Sequence, residues 1–292
     1  MAKVTNIGLP KNQVKSEGQS LGLSNCPNLT AKINFRQYAN GEGVLRIVND
    51  RSLNLTSPPP RRTGELIQKG LGVKAKTKIR RLARQFQYLV ENNKSFCGYC
   101  AFITLSYPFH FPSDHRIAKQ HLDNFFKRIR RKIPNIMYMW VAELQKRGAI
   151  HFHILTPSYV NKELINKSWS GIVSKWYKRE GVKFERVLPN VKKAFHAGAY
   201  MSKYMTKEGE KIQGNMYGVS QNARILLKPI MEDNIIAGEY EAISIVQSAL
   251  RDSLDLDYHK VQSKDDKTVA ICFPETQTIL ELLYEQKRQH GK

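Results

Sequence analysis

The sequence predicts an α+β fold built around one antiparallel sheet. Two observations between residues 99 and 207 carry that expectation. Short runs of alternating or continuous apolar residues interrupt longer stretches with helical periodicity, and their order is strand, helix, strand, strand, helix, strand. A short polar break, Lys146-Arg147-Gly148, separates the two middle strands and suits a hairpin.

The elements are expected as follows. The first strand covers 100–106, and a helix over about 113–132 stops before Pro134. Strands at 136–144 and 149–156 flank the Lys146-Arg147-Gly148 turn. Leu164, Ile165, Trp169, Ile172, Val173 and Trp176 mark the second helix, and a short strand at 182–188 closes the set. This β-α-β-β-α-β order is the split arrangement of ferredoxin-like and RRM-like sheets, with helices on one face. A further helix is expected over about 191–207.

Flanking segments read differently. The first sixty residues are polar, and Pro58-Pro59-Pro60 ends whatever precedes it. Within them, 31–38 and 44–48 flank Asn40-Gly41-Glu42-Gly43, a hairpin pattern. Over 74–92, Ile79, Leu82, Phe86 and Leu89 recur at helical spacing among Lys76, Lys78, Arg80, Arg81 and Arg84, which describes a basic amphipathic helix. Three units follow: a partly flexible N-terminal extension over 1–73, a central domain over 74–228, and an acidic C-terminal extension with a helix over 229–292.

Composition narrows the partners. The 292 residues, 41% of them hydrophobic, can bury a real core. Forty-seven Lys and Arg against 25 Asp and Glu give a formal charge of +22. From Met231 onward there are 7 basic and 12 acidic residues, so the first 230 residues hold 40 basic and 13 acidic ones. A polycationic body of this kind attracts phosphate polymers and releases their counterions, so nucleic acid is the expected partner. No stretch approaches eighteen apolar residues, so no membrane partner is expected. Four cysteines (Cys26, Cys97, Cys100, Cys272) lack a disulfide spacing and the first residues lack a signal-peptide pattern, so a cytoplasmic location, a bacterial host's, is expected. Cys97 and Cys100 have no second cysteine or histidine pair that would complete a zinc site.

Chemistry concentrates in two places. On a strand, His151 and His153 point to one face while Ile150, Phe152 and Ile154 point to the other. If Gln145 pairs with Ala149 across the turn, Glu143 falls opposite His151 on the same face, giving two imidazoles and a carboxylate. A one-residue change of register would turn Glu143 away, leaving it to balance Lys146 or Arg147 at the surface. Downstream, Tyr200 and Tyr204 lie one helical turn apart, as do Lys203 and Lys207. A phenol is a weak nucleophile at neutral pH, and nearby cations or a metal favour its anion. A tyrosine stripe on a core helix is the plain alternative.

Taken together these segments resemble the HUH endonuclease superfamily, and within it the two-tyrosine rolling-circle replication initiators of filamentous and microvirus-type phages. The resemblance spans about 76–224. It rests on the strand Phe102-Ile-Thr-Leu-Ser106, on His151-Phe152-His153, and on Tyr200-x-x-Lys203-Tyr204-x-x-Lys207. Glu143-Leu-Gln-Lys-Arg-Gly148 and Tyr217-Gly218-Val219-Ser220 are also similar to such initiators.

The resemblance implies a metal-dependent DNA nickase and strand transferase that forms a 5′-phosphotyrosine link at a replication origin. His151, His153 and Glu143 would hold one Mg²⁺ or Mn²⁺, Tyr200 and Tyr204 would be nucleophiles, and Lys203 would stabilise developing negative charge. Arg80, Arg81, Arg84 and Lys207 are expected on DNA phosphate. The substrate would be single-stranded or extruded origin DNA. Host helicase and DNA polymerase are expected partners, since no Gly-x-x-x-x-Gly-Lys-Ser/Thr loop is present. Tyrosines that follow the histidines speak against a conjugative relaxase. A two-tyrosine transposase shares the motif order, and a non-enzymatic RRM-like single-strand binder shares the sheet.

Overall fold

The structure is a computed structural model, and it describes residues 30–49, 67–184, 188–204, 211–238, most of 241–248, 259–262, 269–273 and 276–290. In chain order the elements are β1 (Thr30–Gln37), β2 (Gly43–Asn49), β3 (Ile67–Lys69), α1 (Val73–Asn92), β4 (Cys100–Leu105), α2 (His115–Lys132), β5 (Met139–Leu144) and β6 (Ile150–Thr156). There follow α3 (Lys162–Arg179), β7 (Asn190–Ala194), α4 (Ala197–Lys203), β8 (Lys211–Gln213), β9 (Tyr217–Val219), a 3-10 turn (Asn222–Leu227), β10 (Met231–Gly238), β11 (His259–Gln262), β12 (Val269–Phe273) and α5 (Thr276–His290).

The fold is α+β, and its central sheet is antiparallel with strand order β7-β4-β6-β5-β9. The two helices inside the β-α-β-β-α-β unit start where the local chemistry says they should. Asp114 caps α2 by accepting from Arg116 N at 2.8 Å, and Asn161 caps α3 by accepting from Glu163 N at 2.7 Å. α2 packs on α3 and against β6. Trp169 of α3 is fully buried and donates its indole N–H to the Ser106 carbonyl at 2.8 Å, which ties the helix to the end of β4.

Three expectations are corrected here. The closing strand is β7 at Asn190–Ala194, after Pro189, and residues 182–184 are in no strand. β7 lies at the edge of the sheet with mostly exposed residues, so it lacks the apolar alternation that marks a half-buried strand. Because that pairing with β4 uses 190–194, the helix expected from 191 shrinks to Ala197–Lys203, with Tyr204 as its C-cap. Finally, helices cover both faces. Phe152 and Ile154 are buried on the side sealed by α2 and α3, while α4, packed on α1, lies over the histidine side.

The segments expected as two separate extensions are hydrogen-bonded to one another. β10 pairs with β1 along its whole length in a second sheet of order β10-β1-β2-β12-β11. Ile33, Phe35, Leu45, Ile47, Ile235, Ala237 and Leu283 form its buried core. The β1–β2 hairpin matches its predicted turn, and that turn docks on α1. Arg84 holds the buried Glu42 through Nη2 at 2.7 Å and Nε at 3.0 Å, Arg81 Nε lies 3.8 Å from the same carboxylate, and Gln85 donates to Asn40 Oδ1 at 2.7 Å. Arg81 also stacks over Tyr38, 4.1 Å from the ring centroid.

Removing the Glu42 carboxylate leaves two guanidinium groups facing each other without their shared anion. Glu42→Ala is therefore expected to lower the unfolding free energy by about 1–3 kcal/mol, read from the urea midpoint with an unchanged slope. A midpoint equal to that of the unsubstituted protein would mean the contact holds nothing together.

Candidate active site

The site begins at a turn. Gly148 adopts φ 88°, a conformation that L side chains rarely take, and its N–H donates to Gln145 O at 2.8 Å while Gln145 N donates to Ala149 O at 2.9 Å. Counting outward, Glu143 pairs with His151 and Val141 with His153. The predicted register is the one formed. Arg147, the alternative partner for Glu143, instead donates to the carbonyls of Tyr107, at 2.6 Å, and Pro108, clamping the hairpin tip to the segment after β4.

Both members of the acid–base pair are removed from water, with Glu143 8% and His153 3% exposed. His153 Nε2 and Glu143 Oε2 are 2.6 Å apart, a charge-assisted hydrogen bond in a shielded setting. Thr104, on the neighbouring strand β4 directly opposite His153, places its hydroxyl 3.2 Å from Nδ1. With Nε2–H donating to the carboxylate, the neutral ring accepts from the Thr104 hydroxyl at Nδ1. If the proton moves to Nδ1, Thr104 accepts instead and Nε2 exposes its lone pair, the arrangement that metal-binding histidines use.

His151 stands beside this pair, its ring centroid 6.1 Å from that of His153 and its plane turned by 72°. Among the described residues no group of three or more His, Cys, Asp or Glu side chains is gathered so that it could hold a metal ion. Two members of the expected set are thus in direct contact and the third is adjacent. Two imidazoles and a carboxylate on one strand pair are donor types found together in divalent-metal sites.

The tyrosines come to the same place. The Tyr204 ring stacks on His153 with centroids 3.7 Å apart and planes at 25°. Phe102, projecting from β4 on the same face, packs against Tyr204 at 5.3 Å, Tyr200 at 5.5 Å and His153 at 5.7 Å. Phe102 is therefore the hub that seats α4 over the histidine face. Lys203 ends α4 on its exposed side, and Lys207 lies outside the described residues.

On the opposite edge, β9 is held against β5 by the Gly218–Trp140 pair. A Cβ at Gly218 would collide with the Trp140 indole, so only glycine lets the strand lie this close. Tyr217 is thereby set across from Val141 on the site's face.

Of the basic residues expected on phosphate, Arg80 and Arg84 are exposed, Arg84 while bonded to the buried Glu42, and Arg81 is half-buried beside the same carboxylate. Sequence reading missed Thr104 and the seating role of Phe102. The signal was present: on an apolar strand, Phe102 and Thr104 share a face, and Thr104 is the one hydroxyl at mid-strand.

Packing and chemistry at Tyr204 can be separated. Tyr204→Ala should cost about 2 kcal/mol of stability because the ring covers His153 and Phe102, whereas Tyr204→Phe should stay within about 1 kcal/mol. Chemical denaturation of the two variants checks this, and equal effects would contradict the stacking.

Residues 100–209 match the family model of the ORF2-type replication-associated proteins, a stretch running from β4 through both histidines to just beyond Tyr204. No curated protein matches the chain. No helix among the described residues is long and apolar enough to cross a membrane. The family match supports a replication initiator.

Proposed function

We propose that this protein starts rolling-circle replication as a site-specific, single-strand DNA endonuclease and strand transferase of the HUH type. The observation that carries the reading is the Tyr204 ring stacked on His153, itself bonded to Glu143, within the matched stretch.

In this reading a tyrosine hydroxyl, from Tyr200 or Tyr204, attacks the phosphorus of one phosphodiester. The tyrosyl O–P bond forms, the P–O3′ bond breaks, and the tyrosine's proton ends on the departing 3′ oxygen. The products are a 5′-phosphotyrosine and a free 3′-OH for a polymerase to extend. Bond energy is conserved, so a later 3′-OH can attack the same phosphorus, release the tyrosine and rejoin the strand. His151, His153 and Glu143 are the residues that would hold Mg²⁺ or Mn²⁺, which when bound supplies charge neutralisation at a non-bridging phosphate oxygen. Thr104 orients His153 through Nδ1, and Phe102 seats both tyrosines. Lys203 offers a cation to the developing charge. Helicase and polymerase functions come from the host.

The reading is tested with labelled single-stranded DNA from the region adjoining the gene, incubated with protein and Mn²⁺ and resolved under denaturing conditions. A covalent adduct that chelator abolishes is expected. Tyr200→Phe and Tyr204→Phe should each retain single-turnover adduct formation, and the double variant should form none. His151→Ala with His153→Ala should also form none while binding DNA with an unchanged salt dependence, because backbone contacts are a separate contribution. No adduct with any origin-derived strand would favour the alternative, a single-strand binder on an RRM-like sheet.

A further inference from the structure

A groove between α2 and α3 shares no residue with the histidine–tyrosine site. Lys127, Arg128 and Arg131 from α2 meet Lys175 and Arg179 from α3 around a recess of about 330 Å³, and no carboxylate lines it. Lys127 is paired with Asp123 at 2.7 Å and Arg179 lies 3.8 Å from Glu180, so Arg128, Arg131 and Lys175 bring the charge that a bound polyanion would neutralise.

Two details distinguish this groove from a solvated basic face. Arg128 is laid across α3, donating Nη1 to the Ser168 carbonyl at 2.9 Å, and it passes close over Gly171, where a Cβ would sit 2.9 Å from that nitrogen and the guanidinium would have to shift. The guanidinium is thus pre-positioned on the groove wall. Arg131 and Lys175 are both exposed and have no acidic partner among the described residues, whereas Lys127 is held by Asp123 at 2.7 Å. The Tyr107 hydroxyl sits 2.8 Å from the Nδ1 of His121. Burial and the nearby Arg179 hold the His121 pKa down, at about 4.

We propose that the α2–α3 groove is a second nucleic-acid site that grips the phosphate backbone of duplex DNA flanking the nick. The placement beside a nick rests on the function proposed above. Duplex is favoured over single strand because the aromatic residues of the groove, Trp176 at 5% and His121 at 6% exposure, are too buried to stack on unpaired bases. What remains outward is cationic, suited to backbone contact without base reading.

The test compares the full-length protein with an Arg131→Gln, Lys175→Gln double variant. Two measurements are made: anisotropy binding to a 20-base-pair duplex at several salt concentrations, and adduct formation on a short single strand. Both side chains are exposed, so the thermal melting profile should not change. Duplex affinity is expected to fall about tenfold per contact near 0.1 M salt, with the slope of log K against log salt smaller by about two. Adduct formation on the short strand should be unaffected. Unchanged duplex affinity and slope would overturn the proposal, as would an equal loss on the short single strand. The two readings fail separately. If the unsubstituted protein forms no adduct, the nicking function is lost, while the duplex comparison still decides the groove.

Discussion

The pairing of β5 with β6 is the constraint from which the rest of the site follows. Side chains on a strand alternate with period two, so a slip by one residue would send Glu143 to the α2–α3 side. Gly148 at φ 88° makes the three-residue turn that sets the count, and Arg147, reaching the carbonyls of Tyr107 and Pro108, holds the tip in place. Once that register exists, the Glu143–His153 bond forms in a shielded setting, and the remaining residues need only be brought to it. β4 brings Thr104 and Phe102, and Phe102 seats Tyr200 of α4 and Tyr204 at its C-cap.

The site's two faces impose different chemistry on neighbouring residues. His151 and His153 alternate with Ile150, Phe152 and Ile154, so one strand supplies polar groups to the site and apolar groups to the core beneath α2 and α3. Such division of labour lets the site be rigid. The imidazole of His153 is fixed at Nδ1 by Thr104, at Nε2 by Glu143 and on its face by Tyr204, leaving little freedom of orientation.

What the sequence made legible was local. The turn Lys146-Arg147-Gly148 and the hairpin around Asn40-Gly41-Glu42-Gly43 carry their register in a few adjacent residues, and both form as their turn chemistry predicts. The features that escaped are set by distant partners. β7 is an edge strand whose identity comes from β4 and not from its own polar residues, and this shortened the helix expected after it. β1 meets β10 some two hundred residues away, a pairing that no local pattern encodes. Arg81 and Arg84 read from the sequence as phosphate contacts on a basic helix, and their protein partner Glu42 comes from the distant β1–β2 turn. Thr104 becomes meaningful only when β4 is aligned opposite His153.

We propose that Glu143, His151 and His153 form one metal-binding surface beside the tyrosines, and paramagnetic broadening on titration with Mn²⁺ is the sharpest check of it. Signals of His151, His153 and Glu143 should broaden first and those of Tyr204 and Thr104 next, with the α2–α3 groove unaffected. Sharp His151 and His153 signals at high Mn²⁺, or broadening centred elsewhere in the protein, would contradict it.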